Sequence, residues 1–476
     1  MIVSRFIIKL KTPLHCGGGN SLFLDGPVSR DPFGYWNIQG SSLAGVLRAS
    51  LREIDKDLAD SLFGFIKDDL SKASLVWFSD ANLLDFDEKR ACDKAGNGEN
   101  VEIKADSYIR DHVHLQEEGL NRGTSVSGHK FDEEIVPPGA EFAFELKFDE
   151  WQYSSDDVQK EKEKFLLLCK IIASGQVRLG GKTVNGYGCF ETIYAQYLEF
   201  DMRSEDGITQ WLNLDNDVRF TSSDAKDIEK DATIVPSKEG YSFDISIPLQ
   251  NNSMFLPGGV SAKEEDVGTD ITCLTTPVLN YKNKTKCIDV YTATGSSIRG
   301  AIRHRIFEIC NALNIDTALA TEIFGCEADE SSKQGKAGLV SCDDTYLKNV
   351  KSCVMPHVKI DSFTGGNVDG ALFFENPLCG NIESGNIEFD LHMEGRKLTL
   401  PQLRILAHAL LDLCNGELAI GAGCNKGYGF FKLKGMGEDI KENLSKIIIH
   451  LFKDGTLLDL TKNDIRENLL SELENA

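Results

Sequence analysis

A nine-residue pattern occurs twice in this chain, in register. Gly40-Ser41-Ser42-Leu43-Ala44-Gly45-Val46-Leu47-Arg48 returns as Gly295-Ser296-Ser297-Ile298-Arg299-Gly300-Ala301-Ile302-Arg303. Each copy is followed, far downstream, by a glycine-rich loop: Leu179-Gly180-Gly181-Lys182-Thr183-Val184-Asn185-Gly186-Tyr187-Gly188, then Ile420-Gly421-Ala422-Gly423-Cys424-Asn425-Lys426-Gly427-Tyr428-Gly429. Landmarks that recur in the same order predict two fused copies of one domain.

Size agrees, since 476 residues exceed one ordinary hydrophobic core. With 41% apolar and 26% charged residues the chain is globular, not disordered. No run of about 18 apolar residues could span a bilayer. Met1-Ile2-Val3-Ser4-Arg5 opens a strand, not a signal peptide, so a cytoplasmic protein without a membrane partner is expected. The 13 cysteines are dispersed, odd in number and never spaced Cys-x-x-Cys, which points to reduced thiols. A zinc site built from distant cysteines and histidines stays open. The net charge of −23 opposes a nucleic-acid role in bulk, because phosphate binding is dominated by Lys and Arg. Charge is uneven, however: residues 1–52 carry six basic against two acidic side chains, whereas 203–240 carry five against nine. Overall charge governs solubility, not the sign of a local groove.

The pattern reads as an α+β protein with two tandem ferredoxin-like domains, helices packed on one face of an antiparallel sheet. The expected divisions are a first domain at 1–200, an acidic linker at 201–240, a second domain at 241–435 and an acidic helical tail at 436–476. Strands are expected at Ile2 to Leu10 and Ser242 to Ile247. Helices are expected after Ser41 or Ser42, and after Ser296 or Ser297, with those serines as N-caps. Apolar helices at Phe165 to Ile172 and Leu403 to Leu413 precede the glycine-rich loops. Residues 85–135 and 326–378 read as polar insertions, and Ile447-Ile448-Ile449 and Leu469-Leu470-Leu473 as helical stretches of the tail.

Several groups could carry chemistry. The glycine-rich loops could cradle phosphates through backbone amides, with Lys182, Tyr187, Lys426 and Tyr428 beside them, but they lack the ending of a P-loop and equally suit tight turns. The Gly-Ser-Ser helix starts offer free N–H groups and a positive dipole end to an anionic backbone, with Arg48, Arg299 and Arg303 one or two turns in. The bland alternative is a capped helix with solvated arginines. Asp25, in Leu24-Asp25-Gly26-Pro27-Val28, could take a proton or hold a metal ion for phosphodiester cleavage, although most loop aspartates bond only their own turn. His15, His112, His114 and His357 are open to the same two readings, binding or packing.

As an ensemble these motifs resemble the RAMP superfamily, and more narrowly the backbone subunits of type III CRISPR effector complexes. The likeness runs through His15-Cys16-Gly17-Gly18, Asp25-Gly26-Pro27-Val28, Arg30-Asp31-Pro32, the Gly-Ser-Ser helix, Leu62-Phe63-Gly64, Val136-Pro137-Pro138-Gly139 and Gly186-Tyr187-Gly188. In copy two it continues through Pro257-Gly258-Gly259, Thr276-Pro277-Val278, Gly295 to Arg303, Phe324-Gly325 and Gly427-Tyr428-Gly429. The resemblance implies an RNA-recognition-motif-like core lying along a CRISPR guide RNA, an inserted thumb, complementary target RNA and other effector subunits as partners. It also implies metal-dependent endonucleolytic cleavage, with a divalent ion (Mg2+ or Mn2+), by the aspartate that falls on Asp25. The RNA-binding set it suggests is His15, Gly17, Gly18, Ser41, Ser42, Arg48, His112, Lys182, Tyr187, Gly258, Gly259, Ser296, Ser297, Arg299, Arg303, His357, Lys426 and Tyr428.

Copy two departs from the pattern. Aligned on Pro277-Val278, the catalytic position is Thr275, and Asp270 lies five residues earlier in the same loop, where it could substitute as a second catalytic acid. Two other readings stand beside this one. One is a non-catalytic RNA-binding scaffold. The other is a metal-independent endoribonuclease that processes guide precursors, with His15 or His112 as general base.

Overall fold

The computed structural model describes residues 1–19, 24–67, 70–115, 125–149, 155–230, 239–258, 260–261, 268–282, 285–326, 335–381, 383, 385–437, 445–453 and 456–458. The chain divides into two compact units. The first comprises Met1–Thr183, Tyr187–Pro236 and Pro277–Ile288, and the second Val184–Gly186, Ser237–Thr276 and Asp289–Ala476. No described helix is long and apolar enough to cross a membrane.

In the first unit the strand Ile2–Leu10 alternates its side chains between two faces. Ile2, Phe6, Ile8 and Leu10 enter the main core, while Val3 and Ile7 join two smaller clusters. It pairs antiparallel with Phe190–Glu199 on one side and Glu141–Phe148 on the other. Val76–Phe78 and Ala81–Leu83 pair along the far edge of Glu141–Phe148. Taken in chain order the core strands lie 4-1-3-2, a ferredoxin-like sheet. Helices Gly40–Ile54 and Ser155–Ser174 bury Leu43, Leu47, Leu51, Phe165, Leu168 and Ile172 in the same core.

Most of the stretch expected as an acidic linker is built into this unit. Trp211, Leu214 and Phe220 pack on Met1, Val3, Leu198 and Phe200, and Ser204 caps the helix Glu205–Leu212. One carboxylate of this stretch has a buried partner: Arg5, 3% exposed in the sheet, bonds Asp215 at 2.7 Å as well as Glu145 at 3.0 Å. A buried guanidinium requires such partners.

The second unit repeats the plan. Tyr241–Asn251 pairs with Ile387–Leu398, which pairs onward with Val340–Cys342. Helices Gly295–Leu313 and Leu400–Asn415 contribute Ile298, Ile302, Ile306, Leu403, Leu406 and Leu413 to the core. The fourth strand position is shared by Lys432–Leu433 and Ile448–Lys453, both paired to Tyr241–Asn251. The tail around Ile447-Ile448-Ile449 is therefore a strand, continued as a hairpin with Thr456–Leu458, and not the expected helix. A β-branched run suits a pleated surface, and without it Tyr241–Ser246 would be an open edge. Leu469-Leu470-Leu473 lies outside the described residues. Across this sheet His392 is bracketed by Asp343 at 2.7 Å and Asp244 at 2.9 Å.

The serines do not cap their helices. Gln39 is the first N-cap and makes no side-chain bond, while Thr294 is the second and accepts from the Ser297 N–H. The Gly40 and Gly295 N–H groups donate to Asp80 and Asp344 at 2.7 and 2.8 Å. A Cβ on either glycine would meet a backbone carbonyl, at 2.9 Å from Phe78 O and 2.0 Å from Cys342 O. The repeated glycine thus lets a helix start dock against strand backbone.

Each polar insertion contains a long hairpin: Tyr108–Leu115 with Ser125–Ile135, and Met355–Ile360 with Asn367–Glu375.

Candidate functional site

Asp25 stands where three chain segments meet. Its N–H donates to Asp132 Oδ1 and its Oδ2 accepts the Asp132 N–H, both at 3.1 Å. Gly26 pairs in parallel with Glu133, and Gly26 O accepts the Glu134 N–H at 2.8 Å. On the other side the Gly18 N–H donates to Pro27 O and the Ser29 N–H to Cys16 O, both at 2.8 Å. Gly18 must be glycine here, because a Cβ would fall 2.5 Å from Val28 O. Glu134 locks the base of the loop, accepting from Val28 N–H at 2.8 Å, Ser107 at 2.7 Å and Arg30 at 2.5 Å. Burial acts to raise its pKa, but these bonds outweigh that and hold it below the usual carboxylate range. The loop is rigid at both ends, and the Asp25 carboxylate between them is exposed.

Asp270 occupies the same place in the second unit. The Phe374 N–H donates to Asp270 Oδ2 at 2.7 Å, and the Asp270 N–H to Phe374 O at 2.9 Å. Ile271 pairs in parallel with Glu375, and Ile271 O accepts the Asn376 N–H at 2.8 Å. The Leu274 N–H donates to Pro257 O at 3.0 Å. These bonds set the register: Asp25 corresponds to Asp270, Gly26 to Ile271 and Ser29 to Leu274. The counterpart of Pro27-Val28 is accordingly Thr272-Cys273. Pro277-Val278, which matches Pro27-Val28 in sequence, lies in the strand Thr275–Asn280, and residues 277–288 are grouped with the first unit. The alignment that put Thr275 opposite Asp25 is corrected by backbone pairing.

Beside each aspartate is a buried glutamate that sequence reasoning missed. Glu133 lies 2.8 Å from Lys182 Nζ, 3.1 Å from His112 Nε2 and 3.4 Å from His15 Nδ1. Burial would raise the Glu133 pKa, yet His112 and Lys182 hold it low. Glu375 lies 2.6 Å from Lys426 Nζ and 2.8 Å from His357 Nε2. The imidazoles stack on Phe131 and Phe373, with centroids at 5.0 and 5.1 Å, and each lysine sits over the same phenyl ring, at 4.4 and 5.3 Å. The available signal was Phe-x-Glu, at 131–133 and 373–375, following each histidine at a comparable distance. The second unit has no counterpart of His15. Gly181 N–H donates to His15 O and Ala422 N–H to Leu256 O, so leucine stands there.

Most of the remaining residues of the expected set are engaged in packing or backbone contacts. Tyr187 and Tyr428 are buried. Gly188 and Gly429 have φ of 78° and 76°, and a Cβ would come within 1.8 and 1.9 Å of Leu179 O and Ile420 O. The amides of Gly181, Gly188, Ala422 and Gly429 donate to the carbonyls of His15, Pro13, Leu256 and Met254, which ties each loop to a distant segment of its own unit and occupies those four N–H groups. Arg48 donates to Gly64 O at 2.8 Å and Arg299 to Phe324 O, fastening the end of the following helix in each unit. Arg303 lies over Phe307. Gly17 pairs with Val28, and Gly258 has a φ of 78° against Leu274. Ser41 and Ser42 are exposed, Ser296 and Ser297 half-buried, and Gly259 lies outside the described residues.

Among the described residues no three His, Cys, Asp or Glu side chains converge as a ready-made metal cage. Asp25 and Asp132 supply two neighbouring carboxylates. That donor set fits Mg2+ or Mn2+, which takes one or two carboxylates and completes its shell with water and substrate phosphate. Asp270 offers one carboxylate beside Phe374.

A family model described as the RAMP superfamily matches residues 7–191 and 291–432. The protein named CRISPR system Cms endoribonuclease Csm3 from Methanocaldococcus jannaschii is 29% identical over 211 residues, covering 39% of this chain and 76% of its own length. The Streptococcus thermophilus protein of the same name is 27% identical over 211 residues, covering 40% and 86%.

Proposed function

This chain belongs to the RAMP superfamily, and from that premise we propose that it is a subunit of a type III CRISPR effector ribonucleoprotein. It binds guide RNA through both units, largely by shape and phosphate contacts, and cleaves complementary target RNA at two places, through Asp25 and through Asp270. The observation that carries this reading is the shared register of the two aspartates, each clamped to the second strand of its hairpin and each exposed. The Csm3 likeness supports the substrate class.

Cleavage needs a 2′-oxygen in line with its own phosphorus. A fixed carboxylate orients the 2′-hydroxyl and accepts its proton. The P–O2′ bond forms, the P–O5′ bond breaks, and the 5′-oxygen takes a proton from water, leaving a cyclic phosphate and a 5′-hydroxyl. A divalent ion at Asp25, when bound, supplies positive charge at the phosphate.

In the assembled complex, Asp25→Ala should abolish one product while guide RNA is retained, and Asp270→Ala should abolish a second, separately spaced product. Unchanged cutting in the double variant overturns the reading. Binding without cutting in magnesium would favour a scaffold, and cleavage of repeat RNA in chelator a guide-processing enzyme.

A further inference from the structure

Glu133 and Glu375 are only 2% and 5% exposed, and a carboxylate leaves water at such a site only with charged partners. Each has a lysine, yet the lysines come from different places in the loop. With Gly186 matched to Gly427 and Gly188 to Gly429, Lys182 corresponds to Gly423, and Lys426 to Asn185. Local packing accounts for the difference. A Cβ at Gly423 would lie 2.6 Å from the Tyr428 ring, whereas the Asn185 side chain bonds Arg299 at 3.5 Å. Each loop carries its lysine where its own packing leaves room, and both ammoniums arrive on the same glutamate, at 2.8 and 2.6 Å.

What the two copies share is therefore a placed cation, not a loop position. In each unit it lies close to the aspartate. Gly26, next to Asp25, pairs with Glu133, and a Cβ on it would be 3.6 Å from Glu133 Cγ. Ile271, next to Asp270, pairs with Glu375. The lysine side chains are 32% and 33% exposed, so each reaches the surface. A lysine held by a glutamate is the device that aims an ammonium at phosphate oxygens in phosphoryl-transfer enzymes, and a preplaced cation stabilises charge that develops during reaction.

We propose that Glu133 and Glu375 are positioning residues, each fixing a lysine (Lys182 or Lys426) as the group that binds the scissile phosphate beside its aspartate. The inference rests on the reading of Asp25 and Asp270 as the two cut sites. Through the lysine, Glu133 acts on the first cut alone and Glu375 on the second alone.

The test uses the assembled complex with guide RNA and saturating target, and follows both products in single turnover, so that each cut is the control for the other. Glu133→Gln should slow the first cut about tenfold or more, with target affinity and guide retention unchanged and the second cut at its wild-type rate. Lys182→Met should do at least as much. Because the glutamate acts through the lysine, the double variant should be no slower than Lys182→Met. Glu375→Gln and Lys426→Met should mirror this at the second cut. A wild-type rate in either single variant overturns the proposal. So does a loss of rate that only follows lost affinity or stability, or an effect in the double variant that is the product of the two singles. Asp25→Ala, run alongside, separates the levels: if it spares the first cut, the underlying reading has failed, and if it abolishes that cut while Glu133→Gln does not slow it, only this inference has.

Discussion

A half-buried imidazole between two carboxylates sets a pH limit on the second unit. Burial pulls the His392 pKa down, but its hydrogen bonds to the Asp244 and Asp343 carboxylates outweigh that and raise the value to about 10. A group whose folded pKa lies above its unfolded value stabilises fully below the unfolded value, near 6.5, and loses that contribution as pH rises through the folded one. Thermal melting of the protein should therefore fall between about pH 7 and pH 10, and His392→Gln should flatten that fall by several degrees. At the same scale the sequence shows Asp25, His112, His357, Lys182 and Lys426 as residue types worth attention, but not what joins them. Glu133 and Glu375 were hidden because their burial is a tertiary fact. Asp270 is hidden from alignment because a Pro-Val dipeptide lies a few residues from where the backbone hydrogen bonds place the counterpart of Pro27-Val28.

Elements with a local period were readable in advance. Ile2–Leu10 alternates, and Gly40–Ile54, Gly295–Leu313 and Leu400–Asn415 repeat their apolar residues at helical spacing. The tail strand was not, because three isoleucines in a row fit either period and its partner lies two hundred residues upstream. Nor was the packing of Trp211, Leu214 and Phe220 on the first unit, because these apolar residues are spaced irregularly between carboxylates. Ile448–Lys453 pairs with six residues of Tyr241–Asn251 and buries Leu451 in the core. Removing residues 445–476 should thus leave an open edge and lower the melting temperature of the second unit by several degrees or more, with increased aggregation by light scattering. Unchanged melting would show that the sheet closes without this strand.

For the molecule as a whole, the duplication readable in the sequence is not a division of the chain into halves. Residues 277–288, written in the second copy, are part of the first unit. The Tyr281 hydroxyl donates to Leu84 O at 2.7 Å and accepts the Glu141 N–H at 3.2 Å. Leu279 N–H donates to Pro138 O at 2.8 Å, and Gly139 leaves the space that a Cβ, 2.1 Å from Leu279 O, would take. A fragment of residues 1–240 should therefore melt several degrees below a fragment of residues 1–290, measured by circular dichroism; equal melting would show the segment to be dispensable. The same arrangement has a consequence in time. Domains generally mature during synthesis, the N-terminal one first. Here the first unit has its sheet early but must stay unfinished while the ribosome carries on into the second copy, until residue 288 has emerged, and through that interval the surface awaiting Tyr281 is open to chaperones.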